Sequence, residues 1–220
     1  MVEITVRGEA VRRAAAERAR LTVQSRWQAE QPEAAMAAVQ EAHGRVVDEV
    51  RDLVEGGAAE SWHADRVWLS HHREWVAEGQ PPRILYTAAS SVTATFVDLD
   101  ALGRWIAALG RDEVHELGEI EWTLTDATHR SLAQRARQDA VADAVERAED
   151  YARAASLGAV RIVAIREPGT GPQPLAKGRA MDVMLASAPG GGAVELRAGE
   201  VEVPAAVEAA FATGGDSAPE

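Results

Sequence analysis

The sequence contains no cysteine, and its only lysine is Lys177, beside 22 arginines. Without cysteine, disulfide bonds, cysteine-ligated zinc and thiol catalysis are excluded. No run of about 18 apolar residues exists, so we expect no membrane-spanning helix and no membrane partner. The first residues lack the basic and apolar regions of a secretory signal, which favours a cytoplasmic protein.

The formal net charge of the 220-residue chain is −12. An acidic excess of this size repels the phosphate backbone, and the arginines are spread along the chain instead of clustering. We therefore expect no nucleic-acid partner. The length is suited to one domain of two lobes or to two small domains.

Apolar periodicity predicts two strands and a long helix at the start of the chain. Alternation indicates strands at residues 4–12 and 18–28. Pro32 is placed to begin a helix, because the missing N–H of proline costs little at a helix N-terminus. The two glycines Gly56 and Gly57 are expected to end this helix. The helical stripe consists of Ala35, Val39, Ala42, Val46, Val50 and Leu53.

A hairpin is predicted next. Residues 65–76 and 83–97 have strand character, and residues 78–82 between them are typical of a turn. The two strands are therefore expected to pair in antiparallel fashion.

Residues 101–110 predict a short helix, capped by Asp98 or Asp100. The core-facing residues of this helix are expected to be Leu102, Ile106 and Leu109.

A strand is expected at 117–125 and another at 160–166. The second of these strands is almost continuously apolar, which is typical of a central strand covered on both faces.

A long, alanine-rich helix is predicted from about Ala127 to Leu157. At 1.5 Å per residue it would be about 46 Å long, whereas a ten-residue strand is only about 33 Å. The helix would therefore cross a sheet diagonally or overhang it. Its opposite face carries charge pairs four residues apart, which indicate a solvated surface or a contact with another subunit. The stripe consists of Leu132, Ala133, Ala136, Ala140, Ala144, Ala148, Ala152 and Ala155.

Five segments in this order resemble the SIMPL domain family (domain of unknown function 541). They are ITVRGEAV, ILYTAASSVTATFVDLDALG, GEIEWTLTD, the alanine-rich run ARQDAVADAVERAEDYARAASLG, and AGEVEVPAAVEAAF near the end. The chain departs from the family at Ala16-Glu17, where members usually have Pro-Asp. It also departs in lacking the export signal of many bacterial members.

The resemblance implies an α+β fold, homo-oligomeric assembly in some members, and association with other proteins or with stress responses. It implies no established enzymatic activity and no catalytic residues. The expected fold is α+β, with mostly antiparallel sheets and two long helices packed on them. We expect one SIMPL-like domain over residues 1–213, with lobes of about 1–115 and 116–213 and a disordered tail at 214–220.

The histidines are the strongest argument for an enzyme. A hairpin around His71 could serve a small-molecule or metal-binding enzyme, which is the alternative to a non-enzymatic protein. On a strand, however, His71 and His72 point to opposite faces and cannot readily ligate one ion. Gly171 and Lys177 have a spacing near that of a phosphate-binding loop, but the second glycine and the Ser/Thr after lysine are missing. The other histidines are His43, His63, His115 and His129.

Five tryptophans fall in predicted strands, helices or their flanks, where core or interface positions are usual. Trp68 and Trp75 have an odd separation, so a regular strand would put them on opposite faces. We therefore expect Trp75 at an oligomer contact. The five tryptophans are Trp62, Trp68, Trp75, Trp105 and Trp122.

The sequence predicts a non-enzymatic homo-oligomer, with no catalytic, cofactor-binding or metal-binding residue assigned and with an unidentified protein partner possible.

Overall fold

The computed structural model of the chain describes residues 1–75, 82–168 and 196–214. The turn predicted at 78–82 lies outside these residues except for Pro82. The tail predicted at 214–220 lies outside them except for Gly214, and the possible phosphate loop lies outside them entirely.

All strand pairs in the described part of the chain are antiparallel, so the predicted α+β class is confirmed. The helices are α1 (Pro32–Glu55), α2 (Leu99–Leu109) and α3 (Asp126–Ala154). The strands are β1 (Glu3–Ala15), β2 (Arg18–Ala29), β3 (Ala59–Ala64), β4 (Trp68–Glu74), β5 (Arg83–Phe96), β6 (His115–Leu117), β7 (Glu121–Thr123), β8 (Val160–Arg166) and β9 (Glu200–Thr213).

Contacts divide the chain into two units that alternate along the sequence. The chain leaves unit 1 after Ala15 and returns to it at Leu124. Unit 1 therefore contains β1, α3, β8 and β9, and unit 2 contains the elements from β2 to β7.

Unit 1 is a three-stranded sheet in the order β1-β9-β8 with α3 packed on one face. The alanine stripe predicted from the sequence is this packed face, and its buried members recur every fourth residue. Each alanine methyl contributes only about 0.8 kcal/mol on burial, so the helix is held by close approach along its length. The buried alanines are Ala136, Ala140, Ala144, Ala148 and Ala152.

Two of the three strands of unit 1 are longer than the ten residues assumed for the sheet, whereas β8 has seven. β1 has 13 residues and β9 has 14, so each spans about 43–46 Å. The 29 residues of α3 span about 43 Å. The helix therefore does not have to overhang its sheet. It ends at Ala154, because Ser156 adopts a left-handed φ of 53°, and the predicted stripe member Ala155 is exposed.

The prediction that residues 160–166 form a doubly covered central strand is wrong. Among the described strands, β8 lies at one edge of the unit 1 sheet. Val163 and Ile165 are 48% and 50% exposed, and the register shifts between Ile162 and Ala164. The continuous apolar run reflects this β-bulge, which breaks the alternation of faces.

Unit 2 has a sheet in the order β3-β5-β2-β6, in which β4 also pairs with β5 and β7 with β2. The apolar stripe of α1 packs on it, and α2 contributes Trp105, whose ring lies 5.3 Å from that of Phe96. Ile106 was expected to face the core, but it is only partly buried, and Trp105 is buried instead. The Asp98 side chain caps α2, as one of the two predictions had it, by accepting from the Ala101 N–H at 3.0 Å.

Two predicted strands differ in extent. The strand expected at 65–76 begins only at Trp68, and the preceding β3 was not predicted. The strand expected at 117–125 is two short strands, β6 and β7, separated at Gly118. A Cβ at Gly118 would lie 3.1 Å from the Thr22 carbonyl oxygen, so the chain passes tightly against β2 at this point.

Candidate functional site

One part of unit 2 extends beyond the rest of its sheet. β2 pairs with β5 only from Tyr86 onward, so residues 83–85 of β5 have β4 as their single strand neighbour among the described residues. We call residues 68–75 together with 83–85 the hairpin arm. A two-stranded hairpin is marginally stable in water by itself.

The hairpin arm exposes large apolar side chains. Every residue of β4 is exposed. Trp75 is 74% exposed, Trp68 50%, Leu69 42% and Ile84 41%. Because Trp68 and Leu69 are neighbours on one strand, they point to opposite faces, and the register puts Ile84 on the Leu69 face. Both faces of the arm therefore carry exposed apolar surface, which is typical of an association site.

The base of the hairpin arm is anchored by buried packing, whereas its outer part is tied to the rest of unit 2 by an exposed ion pair. Ala88 of β5 is buried against Ala35 and Val39 of α1. Farther out, the ring of His71 lies 5.8 Å from that of Tyr86. These contacts hold β5 in place next to α1, and they leave the apolar side chains of β4 uncovered.

The charges of the hairpin arm are balanced once the neighbouring Glu30, which is not part of it, is included. The Arg83 guanidinium bonds the carboxylates of Glu74 and Glu30, each at 2.9 Å. With Arg73, the four charged groups sum to zero, in a chain of net charge −12. This is therefore a surface where a second acidic copy meets little like-charge repulsion.

The structure places His71 and His72 on opposite faces of β4, as the sequence predicted, because they pair with successive residues of β5. The other described histidines lie on different elements: His43 on α1, His63 on β3, His115 on β6 and His129 on α3. In residues 1–75, 82–168 and 196–214, no group of three or more metal-ligating side chains is placed to hold one ion.

Two serine–histidine contacts in unit 2 were not predicted. Ser25 and Ser90 are opposite each other on β2 and β5. Ser25 Oγ lies 3.1 Å from His115 Nδ1, and Ser90 Oγ lies 2.9 Å from His43 Nδ1. Such a contact can activate a serine nucleophile. Here, however, the two serines are 1% and 2% exposed, so a substrate from solvent does not reach either hydroxyl in this conformation.

The surroundings of the two imidazoles in these contacts lower the pKa of both, which favours the neutral form. Burial lowers the pKa of His43, and Asp65 opposes this weakly. Burial also lowers the pKa of His115, whose Nε2 lies 3.7 Å from Asp112. The pKa of Asp112 is itself lowered, first by the hydrogen bond from the Val114 N–H. The two serine–histidine hydrogen bonds satisfy polar groups inside unit 2, and the one between Ser90 and His43 joins β5 to α1.

A polar cavity of about 370 Å³ lies beside the end of β2. Trp27 of β2 is 40% exposed here. The amide of Gln28 is held by a hydrogen bond of 3.0 Å to Thr87 Oγ1. The cavity is lined by Arg26, Trp27, Gln28 and Glu116.

The outer edge of β1 in unit 1 is covered, unlike the hairpin arm. Asp143 of α3 accepts a hydrogen bond of 2.8 Å from the backbone N–H of Glu9. This bond lowers the pKa of Asp143, and Arg147 lowers it further. One turn away, Asp139 pairs with Arg12 and raises the pKa of that guanidinium. The carboxylates of α3 thus block this edge for strand addition.

The fold and these surfaces define an α+β protein of two antiparallel sheets, each packed against a long helix, with an exposed hairpin on one of them. The model of the SIMPL family, described as a protein of unknown function (DUF541), matches residues 4–211. The chain belongs to this family, and the resemblance seen in the sequence is confirmed. No curated protein matches the chain. No helix in the described part of the chain is long and apolar enough to cross a membrane.

Proposed function

We propose that this protein is non-enzymatic, that it acts through protein–protein contacts, and that copies of it associate through the hairpin arm. The observation that carries the proposal is the exposure of Trp68, Leu69, Trp75 and Ile84 on a hairpin that no other described element covers.

The hydrophobic effect favours burial of such a surface. Removing apolar area from water contributes about 25 cal/mol per Å². A stable interface buries about 800 Å² on each partner, with tryptophan enriched among the residues that contribute most. Two tryptophans on one short hairpin therefore provide anchors of the usual kind for such an interface.

Charge supports a second copy as the occupant. Two acidic chains repel each other unless they meet where their local charge is balanced. The hairpin arm together with the adjacent Glu30 has this property, since Arg83 bridges Glu74 and Glu30.

The non-enzymatic role is supported by the placement of the groups that could do chemistry. The hydroxyls of Ser25 and Ser90 are buried, and the side chains of His71 and His72 diverge.

Light scattering on matched variants tests the proposal. Trp75→Ser and Leu69→Ser remove apolar side chains from the hairpin arm. Tyr151→Ser removes an aromatic ring that is 62% exposed on α3 of unit 1, and it serves as the control. We expect the wild type and the control to have the mass of two or more chains and the arm variants to have a lower mass. An unchanged mass in both arm variants would remove the arm from the interface.

A further inference from the structure

The free edge of β4 differs from the two outer edges of the unit 1 sheet. The edge of β1 is covered by Asp143, and β8 is interrupted by a bulge. β4 pairs with β5 in unbroken register over seven residues, and no described strand pairs with its other edge. It contains no proline. An unbroken free edge is a template for strand addition.

We propose that β4 of one copy pairs in antiparallel fashion with β4 of a second copy, with His71 opposite the same residue of its partner. This inference rests on the proposed association of copies through the hairpin arm, and it specifies the geometry of that association. The sheets of the two copies become one continuous sheet.

Symmetry restricts the register. A two-fold axis perpendicular to a continuous sheet keeps each face of one copy on the same side as that face of the other. Opposed residues must point to the same side, so each residue faces one an even number of positions away. The axis therefore lies midway between one residue and the same residue of the second copy. Centring on His71 pairs all seven residues of β4, whereas centring on Ser70 or His72 leaves two of its residues without a β4 partner.

The charges of β4 fit this register. Glu74 comes opposite the partner's Trp68, and Arg73 comes opposite the partner's Leu69. Like charges directly opposite each other destabilise a sheet, and this arrangement has none. Trp68 and Leu69, which are 50% and 42% exposed in the single chain, become covered by the side chains of the second copy. At the centre of the interface, His71 of one copy lies opposite the same residue of the second copy.

The absence of cysteine from the chain permits a direct test by single-cysteine cross-linking. A disulfide requires Cα atoms about 4.4–6.8 Å apart, and opposed antiparallel residues are about 4.5–5.5 Å apart. His71→Cys should therefore give covalent dimers under mild oxidation. Ser70→Cys and His72→Cys are the matched controls, because each lies roughly 8 Å from the same residue of the partner. We expect neither control to cross-link alone, and a mixture of the two to cross-link, because position 70 faces position 72.

The outcomes separate this inference from the proposed function. Masses are measured first under reducing conditions. If the variants associate as the wild type does, but neither His71→Cys nor the mixture cross-links, the register is overturned and association through the arm stands. If the wild type is a single chain, both proposals fall. Cross-linking of the mixture supports the register even if His71→Cys does not fold.

Discussion

Gly8 of β1 lies against the backbone of Ala140 of α3: a Cβ at Gly8 would be 2.0 Å from the Ala140 carbonyl oxygen. It would also lie 2.8 Å from the Cβ of Ala144. The alanine stripe and this glycine together allow helix and strand to approach closely, since neither side carries a larger group. The packing of unit 1 depends on this contact.

Gly8→Ala is therefore expected to destabilise the protein by about 3 kcal/mol or more, since it forces the helix away from the sheet. Gly44 is the matched control. It lies within α1, and an added Cβ there would have no atom within 4 Å. Gly44→Ala should stabilise by roughly 0.5–1 kcal/mol. Urea denaturation measures both. Equal effects of the two substitutions would show that the close approach at Gly8 is not needed.

The lowered pKa of Asp143 predicts that the protein loses stability in acid. Its pKa is lowered, first by the Glu9 N–H, so the folded state favours the ionised carboxylate. This contribution is present above the ordinary pKa of aspartate, about 3.9, and is lost as the pH falls through the lower folded value. We expect Asp143→Asn to lose less stability than the wild type between about pH 4 and pH 2, measured by thermal unfolding. Asp150→Asn, at an exposed pair with Arg153, should follow the wild type.

The lowered pKa values of His43 and His115 predict a second dependence of stability on pH, at higher pH than that of Asp143. Burial lowers the pKa of both imidazoles, so the unfolded chain binds protons more readily than the folded one. Stability should therefore fall as the pH drops from about 6.5 through the folded values. The urea midpoint of the wild type should be higher at about pH 7.5 than at about pH 5.5. Replacing both residues with glutamine should reduce this difference, and an undiminished difference would assign it to other groups.

The alternative of a metal-binding enzyme at His71 is tested by metal analysis of the purified protein. Because His71 and His72 face opposite sides of β4, we predict less than one zinc, iron or manganese ion per chain. His71→Ala should leave the metal content unchanged. A stoichiometric metal that this substitution removes would favour the enzyme.

Helix positions could be predicted well from the sequence. Pro32 and the stripe ending before Gly56 fixed α1, and the regular alanines fixed α3 to within a few residues. These signals are local, because each depends on side chains within one or two turns of the same helix.

What could not be predicted depends on distant partners. The edge position of β8 follows from the strand order, and the bulge at Val163 lies in its pairing with β9, which is distant in the sequence. Likewise, the contact of Ser90 with His43 joins residues 47 positions apart. The exposed hairpin arm was visible only in outline, since the odd spacing of Trp68 and Trp75 suggested an interface but not which surface forms it.

Light scattering of the wild-type protein over a range of concentrations tests the central claim most directly. If copies associate through the hairpin arm, the mass is that of two or more chains at micromolar concentration and falls on dilution. A mass of one chain at every concentration would contradict the account.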